Sequence, residues 1–349
     1  MPHSLDEHLI YQQQTLREAL KMLNHLAVDL NLFVVNNQRE LIGSITDGDI
    51  RRGVVAGAQL DDPVFGVMHA PCSYLQQGRV DPYTIIEIRN KDIKMIPIVD
   101  DRMQVVELLN LRKQRSLLPI DAVIMAGGKG SRLLPLTQNT PKPLLPVGNK
   151  PIIAYGLDRM KLFGINNVHI TVNYLKEQLI DFAERYATGS QRIGCVAEDS
   201  PLGTIGSLSL IDRWEHDYIL LTNSDLLTNI DYEDFFLSFL ESEADMMVAG
   251  IPYSIKVPYA VMETEGKRVK AFKEKPEYTY YTNTGMYLLK RKLLSLIPRG
   301  EFYNATDLME KLLSDEYKLS YYPMIAYWLD VGKHDDYNKA QEDIKHLKL

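Results

Sequence analysis

The sequence predicts an α/β fold, with a mostly parallel mixed sheet over residues 120–349 and a smaller α+β region over residues 1–117 before it. Three observations predict it. Beyond Asp121, short runs that are apolar throughout (122–125, 168–172, 218–221 and 246–249) alternate with helix-like stretches. Strands buried on both faces read this way, and the intervening helices cover a parallel sheet. Before Asp121 the apolar runs are shorter and separated by turn residues, and a similar order returns about 60 residues on. Between the two regions, Leu117-Leu118-Pro119-Ile120 marks a join, since Pro119 discourages a helix from continuing.

In the N-terminal region, residues 15–26 read as a helix, Leu32-Phe33-Val34-Val35 as a strand and Asn36-Asn37 as a turn into a strand over 41–45. Thr46-Asp47-Gly48-Asp49 puts side-chain oxygens where an N-cap needs them and opens a helix over 50–56. The second pass runs through residues 83–90 (a helix turn or a strand), a strand over 95–99, a turn at Asp100-Asp101 and a strand over 104–109. Two small modules that complete each other are the natural reading.

Composition sets limits. A hydrophobic fraction of 45% and a charged fraction of 24% suit a soluble chain. No apolar run approaches the roughly 20 residues that span a bilayer, and the first residues lack the basic and apolar regions of a signal peptide. Cys72 and Cys195 alone make no disulfide framework, which suits a reducing cytoplasm. A net charge of −7 without a basic tract argues against a nucleic-acid partner. It leaves room for a nucleotide, which a few lysines and a metal ion can neutralise.

In an open parallel sheet, ligands sit beyond the carboxyl ends of the strands. The run over 122–125 ends there in Ala126-Gly127-Gly128-Lys129-Gly130-Ser131-Arg132-Leu133, followed by Thr140-Pro141-Lys142-Pro143-Leu144-Leu145-Pro146-Val147. Glycines after a strand let backbone N–H groups approach a phosphate chain, and Arg132, Lys142 and Lys129 bring charge. The spacing is neither the Walker pattern nor the dinucleotide fingerprint. A bare GGxG is ordinarily a tight surface turn; the strand before it and the lysine-proline segment after it favour a phosphate site.

These segments resemble the signature of the sugar-1-phosphate nucleotidyltransferases, the mannose-1-phosphate and glucosamine-1-phosphate guanylyltransferases among them, from about Asp121 to about Ala340. The resemblance implies a Rossmann-like, GT-A-like sheet and continues in order. Residues 199–206 are similar to a PLGTAG loop that lies against base and sugar, which implicates Pro201, Gly203 and Thr204. Thr222-Asn223-Ser224-Asp225 matches the metal motif, with Ser224 where glycine is commoner. Phe272-Lys273-Glu274-Lys275-Pro276 resembles EKP, with Glu274 on sugar hydroxyls and Lys275 on the sugar phosphate. Asn283 and Gly285 stand in an NxGxY segment, and Asp330 in W-x-D-x-G as the second metal ligand. Alone, each patch reads as a turn, a cap or a solvated face.

The function so implied is attack of a hexose 1-phosphate on the α-phosphorus of a nucleoside triphosphate, releasing pyrophosphate, with Mg²⁺ as cofactor on Asp225 and Asp330. Arg132 and Lys142 are assigned to the triphosphate, with Lys275 on the sugar phosphate. Asn223, Glu274, Asn283 and Gly285 line the sugar side. Residues 126–131, with Ala126, Gly127, Gly128, Lys129, Gly130 and Ser131, line the nucleotide. Glu198 stands where related uridine and thymidine enzymes often place glutamine. A carboxylate accepts from N1–H and N2–H₂ of guanine together, which favours GTP over UTP or dTTP. The alternative is a silent protein that senses a nucleotide or nucleotide-sugar. The short stretch after Asp330 leaves no room for an acyltransferase repeat.

In the first region, Phe33-Val34-Val35 with residues 43–52 resembles one module of a CBS pair, and Ile96-Pro97-Ile98-Val99-Asp100 looks like the equivalent strand of the second. The core of such a module ends G-x-x-T-x-x-D, with Thr46 and Asp49 at the effector positions. The second pass carries Val106-Glu107-Leu108-Leu109-Asn110 there instead. The resemblance implies an adenosine nucleotide at one site, or a purely structural module, and a homodimer in either case.

Overall fold

A computed structural model describes residues 4–26, 30–187 and 189–347. They form two compact units, Met1–Leu118 and Pro119–Leu349.

The first unit holds two three-stranded sheets of the same design. Strands Leu9–Tyr11, Asn31–Val35 and Leu41–Thr46 make one, and Leu75–Gln76, Met95–Val99 and Val105–Asn110 the other. In each, the first strand is parallel to the second and the second antiparallel to the third. A helix joins the first two strands, Leu16–Leu26 in one module and Pro82–Asn90 in the other. The second of these settles residues 83–90 as helix. Asp81 caps its N-terminus through Tyr83 N, and Pro82 supplies a φ already suited to the first turn. Phe33, Val35 and Leu41 pack with Met95, Val99 and Val105, so each sheet closes the core of the other. The helix Asp47–Val55 follows only the first module; after Asn110 no helix is formed among the described residues of this unit.

The second unit is built on a seven-stranded sheet. From edge to edge it runs Arg192–Ala197, Asn167–Val172, Ile120–Ala126, Tyr218–Asn223, Glu277–Lys290, Met246–Lys256 and Leu319–Pro323. Only Glu277–Lys290 runs against the others, so the sheet is mostly parallel and mixed. Ile120–Ala126 lies in its interior, third in that order beside Tyr218–Asn223, and is buried almost throughout, as a continuous apolar run requires. Three strands escape the apolar pattern. Arg192–Ala197 and Leu319–Pro323 are edges, and the first half of Glu277–Lys290 is solvated, pairing with 250–256 in a ribbon beyond the sheet.

One charge cluster ties the far side of this sheet. Asp245 accepts from Lys292 Nζ (2.7 Å), Lys290 Nζ (3.2 Å) and Lys318 N (3.2 Å), with its side chain only 14% exposed. Burial alone would raise its carboxyl, but these hydrogen bonds outweigh it and hold the group at about 2. A lowered native pKa stabilises the fold above the unfolded value near 4 and loses that contribution as pH falls towards 2. Asp245→Asn is therefore expected to cost about 2 kcal/mol at pH 7. Urea denaturation of both proteins at pH 7 and pH 3 tests this. The gap between them should shrink to about half at the lower pH, part-way through the loss, and a gap independent of pH contradicts the linkage.

Candidate active site

Strand direction gathers the chemistry at one end. The carboxyl ends of Asn167–Val172, Ile120–Ala126 and Tyr218–Asn223 face the same way, and beyond them lies a cavity of about 420 Å³. Its walls include Gly127, Gly128, Gly130, Ser131 and Arg132 from the glycine-rich turn, with Lys142, Glu198, Asn223 and Asp225. Pro201, Gly203 and Thr204 complete one side. Ala126 is the buried last residue of the strand beneath, and Lys129 is exposed and lines no part of the cavity.

Two carboxylates meet here through a small ribbon. Leu226–Thr228 pairs antiparallel with Trp328–Asp330, with Leu226 opposite Asp330. Val331 N donates to Asp225 O at 3.1 Å, which locks the two backbones together. Lys142 Nζ donates to Asp225 Oδ2 and lies 3.9 Å from Asp330 Oδ1. Burial and the neighbouring charge of Asp225 push the Asp330 carboxyl up to about 6, against the pull of Lys142. The Oδ1 atoms of Asp225 and Asp330 are buried and accept no hydrogen bond. Buried acceptors with spare lone pairs call for a partner, and two such carboxylate oxygens fit a hard divalent cation. Ser224 costs the motif nothing, since its φ lies outside the left-handed region.

A second acidic group is not part of this site. Asp121, Glu215 and His216 bring ligand atoms within 4.8 Å of one another at the opposite, amino end of Ile120–Ala126. There Asp121 accepts from Glu215 N (2.7 Å), His216 N (3.0 Å) and Asn167 Nδ2 (2.9 Å), so its oxygens already anchor the loop before Tyr218–Asn223.

Glu198 is 5% exposed. Its Oε2 accepts from Leu202 N at 3.3 Å, and burial pushes its carboxyl up against that bond. The loop over 201–206 shows why it carries glycines. A Cβ on Gly203 would stand 2.7 Å from Tyr303 O, and one on Gly206 2.3 Å from Glu301 O. The close approach these glycines allow is thus to the backbone of a neighbouring loop.

The sugar-side candidates divide. Asn223 lines the cavity and lies against Gly285, whose φ is +76°. Asn283 stands nearby in sequence, taking Gly285 N on Oδ1 and donating to Tyr287 OH, both at 2.9 Å. Glu274 and Lys275 sit between the strands Arg268–Lys273 and Glu277–Lys290, both exposed, and line no part of the cavity. Sequence reading missed Met125, Pro143, Thr171, Phe302 and Gly332 on its walls. Thr171 carried a signal, a hydroxyl near the carboxyl end of an apolar strand; Phe302 carried none.

In the first unit, Thr46 and Asp49 face a separate cavity of about 520 Å³, shared with Arg52, His69, Lys94 and Arg112. Thr46 Oγ1 donates to Asp49 Oδ2 at 2.6 Å, and Arg52 Nη2 donates to Asp49 Oδ1 at 2.6 Å.

Comparison with known proteins agrees with this geometry. Residues 121–346 match the family described as nucleotidyl transferase, and residues 6–56 match the CBS domain. Mannose-1-phosphate guanylyltransferase 1 of Arabidopsis thaliana is 32% identical over 229 residues, which cover 62% of this chain and 62% of that protein. The chain thus spans under two-thirds of the length of such relatives. The D-glycero-alpha-D-manno-heptose 1-phosphate guanylyltransferase of Aneurinibacillus thermoaerophilus is 30% identical over 234 residues, 65% of this chain and 99% of that one. The crystal structure of HddC from Yersinia pseudotuberculosis superposes with a TM-score of 0.50 at 25% identity, covering 64% of this chain and 99% of that chain. No helix among the described residues is long and apolar enough to cross a membrane. With its glycine-rich turn, paired carboxylates and matching sheet, the chain belongs to the nucleotidyl transferase family and carries a CBS domain at its N-terminus.

Proposed function

We propose that this protein is a cytoplasmic sugar-1-phosphate guanylyltransferase, joining a hexose 1-phosphate to GTP and releasing pyrophosphate. The observation that carries this reading is the constellation of Lys142, Asp225 and Asp330, with two buried carboxylate oxygens that accept no hydrogen bond, beside the glycine-rich turn.

In the reaction a phosphate oxygen of the sugar phosphate forms a bond to the α-phosphorus, and the bond from that phosphorus to the bridging oxygen of pyrophosphate breaks. The attacking oxygen is an anion already, so no general base is needed. Repulsion between two anionic reactants is the barrier, and positioning with charge neutralisation lowers it. Asp225 and Asp330 would hold Mg²⁺, which supplies charge neutralisation at the phosphates when bound. Lys142 turns from Asp225 to the triphosphate, and Arg132 meets the same group from the turn. Asn223 orients the sugar side, and Glu274, Lys275, Asn283 and Gly285 belong to it. Ala126 to Ser131, including Lys129, contribute backbone and charge along the nucleotide.

Glu198 selects the base. Its remaining lone pairs suit the adjacent donors of guanine, and both relatives named above are guanylyltransferases by name. Pyrophosphate release should therefore be fastest with GTP among the common nucleoside triphosphates, across a panel of hexose 1-phosphates. Glu198→Gln, which swaps one acceptor for a donor, is expected to lower kcat/KM with GTP by about 100-fold and to raise relative use of UTP or dTTP. An unchanged ratio of GTP to UTP turnover removes Glu198 from base selection. Binding of GTP with no turnover of any pair favours a sensor instead.

The N-terminal unit is read as a regulatory or dimerising pair. The cations around Thr46 and Asp49 suit the phosphate of an adenosine nucleotide. Size-exclusion chromatography with and without AMP or ATP tests both the homodimer and the effector.

A further inference from the structure

We infer that Phe302 is a preformed platform on which the nucleobase stacks; the inference rests on the nucleotide reading of the cavity above. Phe302 lines the cavity and is 63% exposed as a residue. A single exposed aromatic is common on protein surfaces, so exposure alone decides nothing. Its mounting does.

The loop that carries it is bolted on both sides of Phe302, to residues 202–206 after it and to Ser209 before it. Tyr303 N donates to Leu202 O at 3.0 Å, and Tyr303 O accepts from Ile205 N (3.0 Å) and Gly206 N (3.1 Å). Asn304 Oδ1 accepts from Thr204 N at 3.3 Å, and Thr204 Oγ1 from Ala305 N at 2.7 Å. Gly300 N donates to Ser209 Oγ at 3.0 Å. Gly203 and Gly206, with no Cβ, let the two backbones touch. The ring is thus presented to solvent from a backbone with little freedom, so binding through it loses little conformational entropy.

The chemistry of the wall selects the occupant. Leu202, which accepts from Tyr303 N, also donates its own N–H to Glu198 Oε2. Phe302 is therefore mechanically tied to the carboxylate that faces the base edge, whereas Glu274 and Lys275 lie on another segment. A triphosphate has no face for a ring to cover. A purine has one, and base–aromatic stacking needs no sequence-specific partner.

Equilibrium binding of GTP and of inorganic tripolyphosphate, each with Mg²⁺, to the full chain and its Phe302→Ala and Phe302→Trp variants tests this. Phe302→Ala should weaken GTP about tenfold or more, Phe302→Trp should stay within about threefold of the parent, and tripolyphosphate should bind all three alike. Unchanged GTP affinity in Phe302→Ala overturns the inference. So does an equal loss for GTP and tripolyphosphate, which marks a collapsed loop. A parent protein that binds no nucleoside triphosphate defeats the nucleotide reading itself, a result separate from any of these.

Discussion

Asp225→Asn is expected to lower kcat/KM for pyrophosphate release by about 10³-fold, close to 4 kcal/mol of lost transition-state stabilisation. The substitution keeps shape and removes one negative charge from the pair with Asp330. What it removes is the group that both fixes Lys142 and offers a buried, unpartnered oxygen to a cation. The folded state should hardly notice. Asp225 is one cause of the raised Asp330 carboxyl, so neutralising it relieves repulsion there while Lys142 remains within ion-pair reach of Asp330. Activity and thermal stability should therefore separate: a large kinetic loss with a melting temperature within a few degrees of the parent. Activity within tenfold of the parent removes Asp225 from the reaction. A protein that melts far lower makes its role structural.

Gly285→Ala should act the other way, through the fold. At φ +76° an L-residue pays a cost of its own, and the new Cβ would stand 2.3 Å from Asn223 Nδ2 and 2.7 Å from its Cγ. The left-handed conformation accounts for roughly 1 kcal/mol, and moving a packed side chain for roughly 2 more. Gly266→Ala is the control, since it shares a positive φ of +57° but has nothing within 4 Å of its Cβ. The difference between the two variants, about 2 kcal/mol in denaturation, isolates the contact with Asn223. Because Asn223 lines the cavity, Gly285→Ala should also lose at least about tenfold in kcat/KM while Gly266→Ala does not. Equal stability of the two variants means that Asn223 yields at no cost.

Much of the site was legible as residues before it was legible as a place. The glycine-rich turn announces itself because a continuous apolar strand can end in Gly127-Gly128 only where the backbone must turn or be approached. Glu198 was readable as a carboxylate beside a proline-glycine loop, but not as a buried group held by Leu202 N. Gly203 and Gly206 show a related limit. A glycine records that something comes close, and the sequence does not say whether that is a ligand or, as here, the backbone of Glu301 and Tyr303. Phe302 was invisible because a lone aromatic in an irregular loop has no period and no neighbours in sequence to give it meaning.

By itself, then, the sequence determined the central strands, the loops at their carboxyl ends and the chemical inventory those loops carry. These are local matters, set by burial on both faces of a strand and by the backbone freedom of glycine. Only the tertiary structure decided which of those groups face one another. Asp225 and Asp330 meet because Leu226–Thr228 and Trp328–Asp330 pair, and strands of three residues are too short to show any periodicity. Lys142 reaches Asp225 across 83 positions of chain. Pairings of that kind are fixed by the packing of the whole sheet and its covering helices, and no stretch of sequence holds enough of that packing to show them.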